Sequence, residues 1–431
     1  MKTYIKSNKK RILVYAHYYI PDVASTGQIC ADIAEGLSGY FDVTVICVVP
    51  SYMGNIDKKY NDRKLDFFKE EINGVHVLRV KVPSFNKKSK LSRINNILAY
   101  YLKAKKATRS LGHFDYIFSV SQPPILGGML GVYGSRKKKA KFIYNIQDIN
   151  PEQTIAVGYS HNGAILKAMM MLDKRSCLKA DLIITVGRDL VETINNRFKN
   201  SKRKPKKVIM INNWIDEKRI FPLSPDNQGV IAFKKEFKIE NKFIFMYSGN
   251  IGLYYDLEGL LKTIKQIKPG TKSSDGREVV FVFVGSGTIL EKLKKYKNEN
   301  DMENVFFIPY QSKEKLIYSL NAADVHFCIS AKGIKGVSCP SKYYGISAVS
   351  KPIIAVLDEG SEVYCLLKEN SNARISRPGD YLNLYNNICA MYNSPIKELK
   401  EMGAQNFKTL KNRFTKQISI SKYVNEIMRI E

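Results

Sequence analysis

The sequence predicts an α/β protein built from two doubly wound parallel-sheet domains. Its 431 residues are too many for one ordinary hydrophobic core and suit two domains of about 200 residues each. An alternation of buried strand, loop, helix and strand begins at Arg11 and again at Phe243, which is the order that builds parallel sheets. The intervening segment NNWIDEKRIFPLSPDNQG is rich in Pro, Asn, Asp and Gly and is typical of a linker. We therefore expect domains at 1–215 and 216–395, followed by terminal helices at 396–431.

The first half contains six predicted strands. Short runs of β-branched and aromatic residues place them at 11–15, 41–48, 75–82, 116–120, 141–146 and 182–186. Gly27 lies just before a helix expected from about 29 to 37, where it would let the backbone approach a ligand phosphate. Arg188 follows the last of these strands, at the start of another helix. It is a candidate for contact with a diphosphate, although an Arg in a first helical turn is more often simply exposed.

A helix predicted over 87–111 combines basic residues with an apolar centre, INNILAYYL. The basic residues are Lys87, Lys88, Lys90, Arg93, Lys103, Lys105, Lys106 and Arg109. One interpretation is an amphipathic helix lying in a membrane interface. The other is a helix packed on the core with a solvated basic face. The sequence pattern alone leaves both interpretations open.

The chain is strongly basic, with 69 Lys and Arg against 40 Asp and Glu and a formal net charge of +29. Residues 1–215 carry 37 basic and 16 acidic side chains, a net charge of +21, so the surplus lies mostly in the first half. We find no zinc-finger, RNP or helix-turn-helix signature, which disfavours a nucleic-acid partner. An anionic membrane surface fits the charge better. The alternative is a general bias towards lysine with solvated surfaces.

The seven cysteines predict reduced, buried residues of a cytoplasmic protein. They are Cys30, Cys47, Cys177, Cys328, Cys339, Cys365 and Cys389, and their spacing matches neither a disulfide framework nor a metal site. The basic N-terminus leads into a short strand rather than the apolar segment of a signal peptide. The longest uncharged run, 117–134, contains two prolines and four glycines and is a poor candidate for a membrane span. We therefore expect a soluble or peripheral protein.

Polar residues cluster where the strand at 141–146 ends, in the loop NIQDINPEQ. The cluster contains Gln147, Asp148, Asn150 and Glu152. Open α/β sheets place their chemistry outside the carboxyl ends of the strands, so this loop is a candidate for contact with a substrate. The alternative is a polar loop in which Asp148 forms an Asx-turn.

The second half repeats the pattern, with strands expected at 243–247, 279–284, 305–309, 325–329 and 353–357. Glycines follow two of these strands and leave room for a ligand: Gly249 and Gly252 in SGNIGLYYD, and Gly285 and Gly287 in GSGTILEKL. A tight loop at CPSK opens a short helix, and Lys342 would add a positive charge to the anion site that such a helix start provides.

The segment PSKYYGISAVSKPIIA resembles the PSK-x-x-E-x-x-A-x-G-K-P-V-I segment of glycosyltransferase family 4, whose fold is the two-domain GT-B fold. The elements GNIG and QDINPE resemble the branch that contains N-acetyl-L-fucosamine transferases, and GSGTILEKL resembles the V-G-x-G-x-x-x-x-x-L element of the family. The resemblance covers nearly the whole chain. It implies two Rossmann-like domains facing each other across a cleft, with the C-terminal helices crossing back to the first domain. Four positions depart from the family pattern: Gly345 replaces a Glu, Ser350 a Gly and Asn250 an Arg, while Tyr255 and Asp256 occupy the region of a Lys.

The resemblance also implies which residues contact the substrates. Those expected near the nucleotide-sugar are Gly27, Gly249, Asn250, Gly252, Gly285, Gly287, Tyr310, Gln311, Ser341, Lys342, Ser361 and Glu362. Arg188 is added to them because of its position at a helix start. Lys342 is expected to neutralise the diphosphate, and Asp148 and Gln147 to lie near the sugar and the acceptor hydroxyl. The implied donor is a UDP-linked sugar, an N-acetylated hexose or deoxyhexose.

The implied activity is a retaining transfer to a polyprenyl-diphosphate-linked saccharide in capsule, O-antigen or exopolysaccharide synthesis. The enzyme would be bound peripherally at the cytoplasmic face of the plasma membrane. No D-x-D pair stands at a strand end, so neither a metal nor another cofactor is expected. Two alternatives remain: a non-catalytic GT-B subunit of a polysaccharide assembly complex, and a nucleotide-sugar 2-epimerase.

Overall fold

A computed structural model of the chain describes residues 9–22, 25–51, 58–60, 65–84, 89–156, 158, 162–370 and 373–430. The chain divides into two compact units. The first unit comprises Met1–Ile211 together with Ile420–Glu431, and the second comprises Asn212–Ser419. The sequence places this boundary at 215, whereas the structure places it after Ile211.

The first unit contains an eight-stranded sheet in the order β3-β4-β2-β1-β5-β6-β7-β8. The strands are β1 (Arg11–Tyr15), β2 (Asp42–Val48), β3 (Phe67–Ile72), β4 (Val75–Val80), β5 (Tyr116–Val120), β6 (Lys141–Ile146), β7 (Leu182–Thr185) and β8 (Val208–Met210). The helices are α1 (Ser25–Ser38), α2 (Lys90–Ser110), α3 (Leu126–Lys138), α4 (Glu152–Ala156), α5 (Gly163–Lys179) and α6 (Arg188–Arg197), with a 3₁₀ turn at Lys58–Tyr60. All strand pairs are parallel except β3 with β4.

Several elements of this unit are absent from the sequence predictions, among them β3 and α3. The strand β3 has the sequence FFKEEI, and its charged residues weaken the strand pattern. It is a half-buried edge strand that pairs antiparallel with β4. The helix α3 follows two prolines and is rich in glycine, a composition that does not favour a helix. Its glycines instead allow close packing: a Cβ on Gly131 would lie 2.0 Å from a ring carbon of Phe142 in β6.

The second unit contains a six-stranded parallel sheet in the order β11-β10-β9-β12-β13-β14. Its strands are β9 (Lys242–Ser248), β10 (Glu278–Val284), β11 (Val305–Ile308), β12 (Val325–Ile329), β13 (Ile353–Val356) and β14 (Ala373–Ser376). Its helices are α7 (Gln228–Glu236), α8 (Leu257–Ile264), α9 (Leu290–Glu299), α10 (Leu316–Ala322), α11 (Lys342–Ala348), α12 (Glu362–Asn370), α13 (Tyr381–Asn393) and α14 (Ile396–Arg413). The central strands are almost continuously apolar because helices cover both faces of a parallel sheet.

The C-terminal helices, expected to run from 396 to 431, are divided between the two units. The helix α14 belongs to the second unit, where the Asn406 side chain donates to the carbonyl of Lys351 at 3.0 Å. The last helix, α15 (Lys416–Met428), starts in the second unit and joins the first unit from Ile420 onward. Within the described residues, we find no helix with the length and apolar character needed to span a bilayer.

Candidate functional site

A pocket of about 210 Å³ lies at the carboxyl ends of the strands of the second unit. Its lining includes the predicted residues Gly249, Tyr310, Gln311, Ser341 and Lys342. The neighbouring strands β9 and β12 are not consecutive in sequence, so the strand order reverses between them. Open α/β sheets bind ligands at such a switch point, outside the carboxyl ends of the strands. The location of this pocket therefore matches the usual location of a nucleotide in this class of sheet.

Among the described residues that line this pocket, Lys342 is the only lysine or arginine, and aromatic rings contact its amine. Its Nζ lies 3.4 Å from the centre of the Tyr255 ring and 5.0 Å from that of Tyr247. The Lys342 stem crosses Gly249, where a Cβ would lie 2.7 Å from Lys342 Cε. An aromatic ring attracts a cation over its face, so these contacts fix the ammonium group beside the pocket. Glycine at 249 leaves the space that the lysine needs.

Gly285 and Gly287 permit contact between two loops of the protein. A Cβ on Gly285 would lie 1.9 Å from the carbonyl oxygen of Gly249, and one on Gly287 would lie 2.1 Å from that of Ile251. The backbone of Gly285 is also in a region that favours glycine, with φ at +146°. The sequence predicted that these glycines make room for a nucleotide. In the structure, they make room for the loop after β9, which they hold beside the pocket.

The loop after β9 differs from the expected arrangement at three further positions. Asn250 is exposed, and its carbonyl accepts a hydrogen bond from the Tyr247 hydroxyl at 2.6 Å. Gly252 is buried, and a Cβ there would lie 3.0 Å from the Asn250 side chain. Asp256 caps α8 by accepting from the Gly259 amide at 3.0 Å. Neither Asn250 nor Gly252 is in the pocket lining formed by described residues.

Of the remaining predicted residues of the second unit, Tyr310 and Gln311 line the pocket, whereas Ser361 and Glu362 do not. Tyr310 is exposed at the pocket, while Gln311 is buried and donates to the Pro309 carbonyl at 2.9 Å. Glu362 is buried at the start of α12 and accepts from the Asn212 side chain at 2.9 Å. Ser361 donates to the carbonyl of Asp358 at 2.8 Å. Ser361 and Glu362 make these structural bonds and are not among the described residues that line the pocket.

In the first unit, a chain of hydrogen bonds holds Gln147 at the end of β6. The Gln147 side chain donates to Asn145 at 2.8 Å, and Asn145 donates to the Tyr423 hydroxyl at 2.8 Å. The Gln147 amide also donates to the Ser121 hydroxyl at 3.2 Å. Asp148 follows and is half-buried. The structure therefore fixes the backbone from which Asp148 projects.

A buried arginine anchors the rest of the loop that follows β6. Arg197 donates to the carbonyl of Asn150 at 2.9 Å, to Asp173 at 2.6 Å and to both carboxylate oxygens of Glu152. Burial raises the pKa of Asp173, while Arg197 and Tyr144 oppose that rise. Asn150 and Glu152, which the sequence placed in the candidate cluster, thus serve to shape the loop. No motif in the sequence around Arg197 predicted that it anchors this loop.

Gly27 and Arg188 both lie at helix starts in the first unit. The helix α1 begins at Ser25, earlier than predicted, so Gly27 lies within its first turn. A Cβ on Gly27 would lie 3.0 Å from the Tyr18 backbone, which gives the glycine a packing role. Arg188 is the first residue of α6 and is exposed, as expected for that position. Among the described residues, no three His, Cys, Asp or Glu side chains form a group that could hold a metal.

Comparisons with known proteins place this geometry in context. Residues 231–408 match the family described as Glycosyl transferases group 1. The chain is thereby similar to glycosyltransferases. The pocket is also lined by Ile215, which lies before the matched segment; all its other described lining residues lie within that segment. The finer resemblance to N-acetyl-L-fucosamine transferases stays a prediction.

Two relatives extend the similarity beyond the matched segment. The probable glycosyltransferase WbjE of Pseudomonas aeruginosa is 24% identical over 355 residues, which cover 80% of this chain and 82% of that protein. The glycosyl transferase WcaI of Escherichia coli K12, named for colanic acid biosynthesis, is 22% identical over 368 residues, which cover 82% of this chain and 84% of that protein. Both similarities support a glycosyltransferase.

Solved structures match the chain over almost its whole length. Sucrose-phosphate synthase from Thermosynechococcus elongatus superposes with a TM-score of 0.75 at 13% identity, covering 98% of this chain and 99% of that one. Anabaena HepE in complex with UDP and glucose gives a TM-score of 0.68 at 14% identity, covering 97% and 100%. These likenesses and the two sheets, whose strands are parallel apart from β3, confirm the predicted GT-B fold class.

Proposed function

We propose that this protein is a retaining glycosyltransferase that uses a UDP-linked sugar, an N-acetylated hexose or deoxyhexose. The acceptor is a polyprenyl-diphosphate-linked saccharide in capsule, O-antigen or exopolysaccharide synthesis. The observation that carries the proposal is the pocket at the β9–β12 switch point, which contains the Lys342 amine and lies almost entirely within the segment matched to group 1 glycosyltransferases.

The electrostatics of the pocket suit a diphosphate. Lys342 supplies a point charge whose position the Tyr255 and Tyr247 rings restrict. Because Asn250 stands where family 4 enzymes carry an arginine, this lysine bears most of the charge balance with the leaving diphosphate. A cation held in place before the reaction stabilises the charge that develops on the leaving group without reorganising. UDP as the donor nucleotide is supported by HepE, a structural relative that was solved with UDP and with UDP-glucose.

The reaction needs no protein base in this proposal. The bond from the sugar C1 to the diphosphate oxygen breaks, and the acceptor hydroxyl attacks C1 from the same face. Its proton passes to an oxygen of the departing diphosphate, so the products are the extended saccharide and UDP. Asp148 and Gln147 orient the sugar and the acceptor hydroxyl, and catalysis rests on position and electrostatic stabilisation. The transfer proceeds without a metal ion.

Three observations support an acceptor held at a membrane. WcaI is named for colanic acid biosynthesis, which is the synthesis of a polysaccharide. The first half of the chain carries most of the positive charge. The helix α2 also packs Tyr100, Ala104 and Ala107 in the core, while Leu91 and Leu102 on its other side are 80% and 63% exposed. Thus α2 combines a core-packed face with exposed apolar residues. Together, the three observations favour peripheral association of the protein with the cytoplasmic face of the membrane.

Nucleotide binding and sugar transfer provide the test. The thermal stability of the protein is measured in EDTA with UDP, GDP, dTDP or ADP, for the wild type, Lys342→Met and the exposed control Lys332→Met. A nucleotide at 100 times its Kd stabilises a protein by about 2.7 kcal/mol. We expect UDP alone to raise the melting temperature of the wild type and the control, and the Lys342→Met protein to lose that shift.

Release of UDP from UDP-sugars is then measured with lipid-linked saccharide acceptors. Turnover that depends on the acceptor and persists in EDTA is the expected result. UDP binding without turnover for any sugar in the series would favour the non-catalytic subunit. Conversion of the donor sugar without an acceptor would favour the epimerase.

A further inference from the structure

The first half of α5 is an apolar helix that the described part of the chain leaves uncovered. Residues 163–172 contain six apolar side chains larger than alanine: Ile165, Leu166, Met169, Met170, Met171 and Leu172. None of the six is buried, and Met171 and Ile165 are 64% and 54% exposed. The buried residues of α5 begin only at Asp173. A helix segment that is apolar on most of its surface usually packs in a core or enters a membrane.

A groove of about 970 Å³ runs beside this segment. Its apolar lining comes from α4 and α5 and includes Ile155, Leu166, Met170, Met171 and Leu178. Its remaining lining is basic apart from one proline: Arg136, Lys167, Lys174, Arg175, Lys179, Arg203, Lys204 and Lys206. We call these apolar and basic residues, together with Ile165, the α5 face. No acidic residue lines the groove among the described residues.

The acidic residues nearest in sequence to the α5 face have cationic partners of their own. Asp173 and Glu152 pair with the buried Arg197. Asp181 pairs with Lys206 at 2.5 Å. Of the eight basic residues, Lys206 is thus engaged, and Lys174 lies 5.5 Å from the centre of the Phe198 ring. The α5 face therefore combines a net positive charge with exposed apolar side chains.

We propose that the α5 face docks on an anionic membrane surface. Its apolar side chains enter the boundary between headgroups and acyl chains, and its lysines and arginines contact anionic headgroups. A nucleic acid fits this face less well because single strands bind by stacking on aromatic rings, and no described residue of the groove is aromatic. From the sequence, membrane contact is one of two interpretations of the helix that forms α2. The structure adds α5, to which α2 is connected through the packing of α3 against both helices.

This inference deepens the proposed function, because docking through α5 brings the first unit to the membrane that contains the lipid-linked acceptor. It does not involve the pocket of the second unit. Vesicle binding and UDP binding therefore test the two proposals separately.

The experiment measures co-sedimentation of the full chain with vesicles of phosphatidylcholine alone or with 30% phosphatidylglycerol. One variant is Ile165→Gln with Met171→Gln, and the other is Lys167→Gln with Arg203→Gln and Lys204→Gln. The controls lie in the second unit: Leu382→Gln, which replaces a residue that is 72% exposed, and the exposed triple Lys262→Gln, Lys265→Gln and Lys268→Gln. All substituted positions are exposed, so each variant is expected to fold and to keep its thermal shift with UDP.

We expect the wild type to bind the anionic vesicles at least tenfold more tightly than the neutral ones. Each α5-face variant should lose at least fivefold in affinity, and the controls should keep theirs. Unchanged binding by both variants would overturn the proposal, as would equal binding to neutral vesicles. Two further results would also overturn it: a dimer that the apolar variant dissociates, and binding to a single-stranded oligonucleotide in preference to the vesicles.

Discussion

The ammonium group of Lys342 lies 3.4 Å from the centre of the Tyr255 ring, so a lysine at the start of α11 is held by a residue just before α8. Tyr255 lies in the region where family 4 enzymes carry a lysine of their own. This chain therefore has an aromatic ring in place of a second cation. The contact positions the remaining cation, and the geometry of the pocket depends on it.

Replacing the Tyr255 ring tests its role in positioning Lys342. The cation–ring attraction amounts to about 0.5–2 kcal/mol, so Tyr255→Leu should weaken UDP binding by roughly 2- to 30-fold. Tyr255→Phe keeps the ring and should keep the affinity within about twofold. Calorimetric titration with UDP and with uridine separates positioning from general damage. Equal loss of both ligands in Tyr255→Leu would contradict the positioning role, because uridine has no phosphate for Lys342 to bind.

Gly287 should tolerate no larger side chain, since a Cβ there would meet the Ile251 carbonyl oxygen at 2.1 Å. Relieving such a contact requires backbone movement, which typically costs about 1–3 kcal/mol. Gly287→Ala should therefore destabilise the second unit. Trp214, the only tryptophan in the chain, lies in that unit and reports its urea unfolding by fluorescence. Gly163→Ala is the matched control because its Cβ would meet nothing within 4 Å. An unchanged unfolding midpoint in Gly287→Ala would contradict the close approach of the two loops.

Removal of the Arg197 side chain should destabilise the first unit more than any exposed charge does. Arg197→Met leaves Asp173 and Glu152 without their buried cation, and breaking such a pair costs about 3–5 kcal/mol. Hydrogen exchange should rise across α4, α5 and α6, as measured by mass spectrometry of peptides from these helices. Lys199→Met changes an exposed cation nearby and should leave the exchange as it is. Similar exchange in the two variants would contradict the anchoring role.

Protonation of His326 should destabilise the protein in acid. Burial lowers the pKa of His326 to about 4, although the bond from its ring to the Leu320 carbonyl opposes that shift. Below about pH 6.5, His326 binds a proton in the unfolded chain but stays neutral in the folded chain. The free energy of unfolding therefore falls as the pH drops from 6.5 towards 4. This one group contributes a slope of up to about 1.4 kcal/mol per pH unit.

His326→Gln removes this contribution to the pH dependence of stability. The difference between the variant and the wild type therefore reports His326 alone, because the other titrating groups, including the buried His17, are present in both proteins. The variant should be less stable than the wild type at pH 7, with a difference that narrows as the pH approaches 4. Urea unfolding monitored by Trp214 fluorescence at several pH values provides the measurement. Parallel stability curves for the two proteins would contradict the lowered pKa.

Elements with strong local patterns could be predicted from the sequence. The strands β1, β5, β6 and β12 have the predicted bounds, because short runs of β-branched and aromatic residues carry a local signal. Helix α3 could not be predicted, because its glycines are explained only by the Phe142 ring that packs against them. Such contacts join residues that are distant in sequence.

In the candidate site, too, some features follow from the local sequence and others depend on contacts between distant segments. The placement of Lys342 at the start of a helix follows from the local sequence PSKYYG. Its contact with Tyr255, and the use of Gly285 and Gly287 for contact between loops, depend on how two separate segments approach each other. The exposed apolar surface of α5 was missed for a similar reason, since burial depends on the neighbours that a helix meets in the fold.

Hydrogen exchange of the full chain with and without UDP tests the central claim most directly, because it locates the nucleotide. We predict that UDP protects peptides covering 248–252, 310–311 and 341–346, and that Lys342→Met removes this protection while Lys332→Met retains it. Strong UDP binding that leaves these three segments unprotected would contradict the assignment of the donor pocket to the second unit.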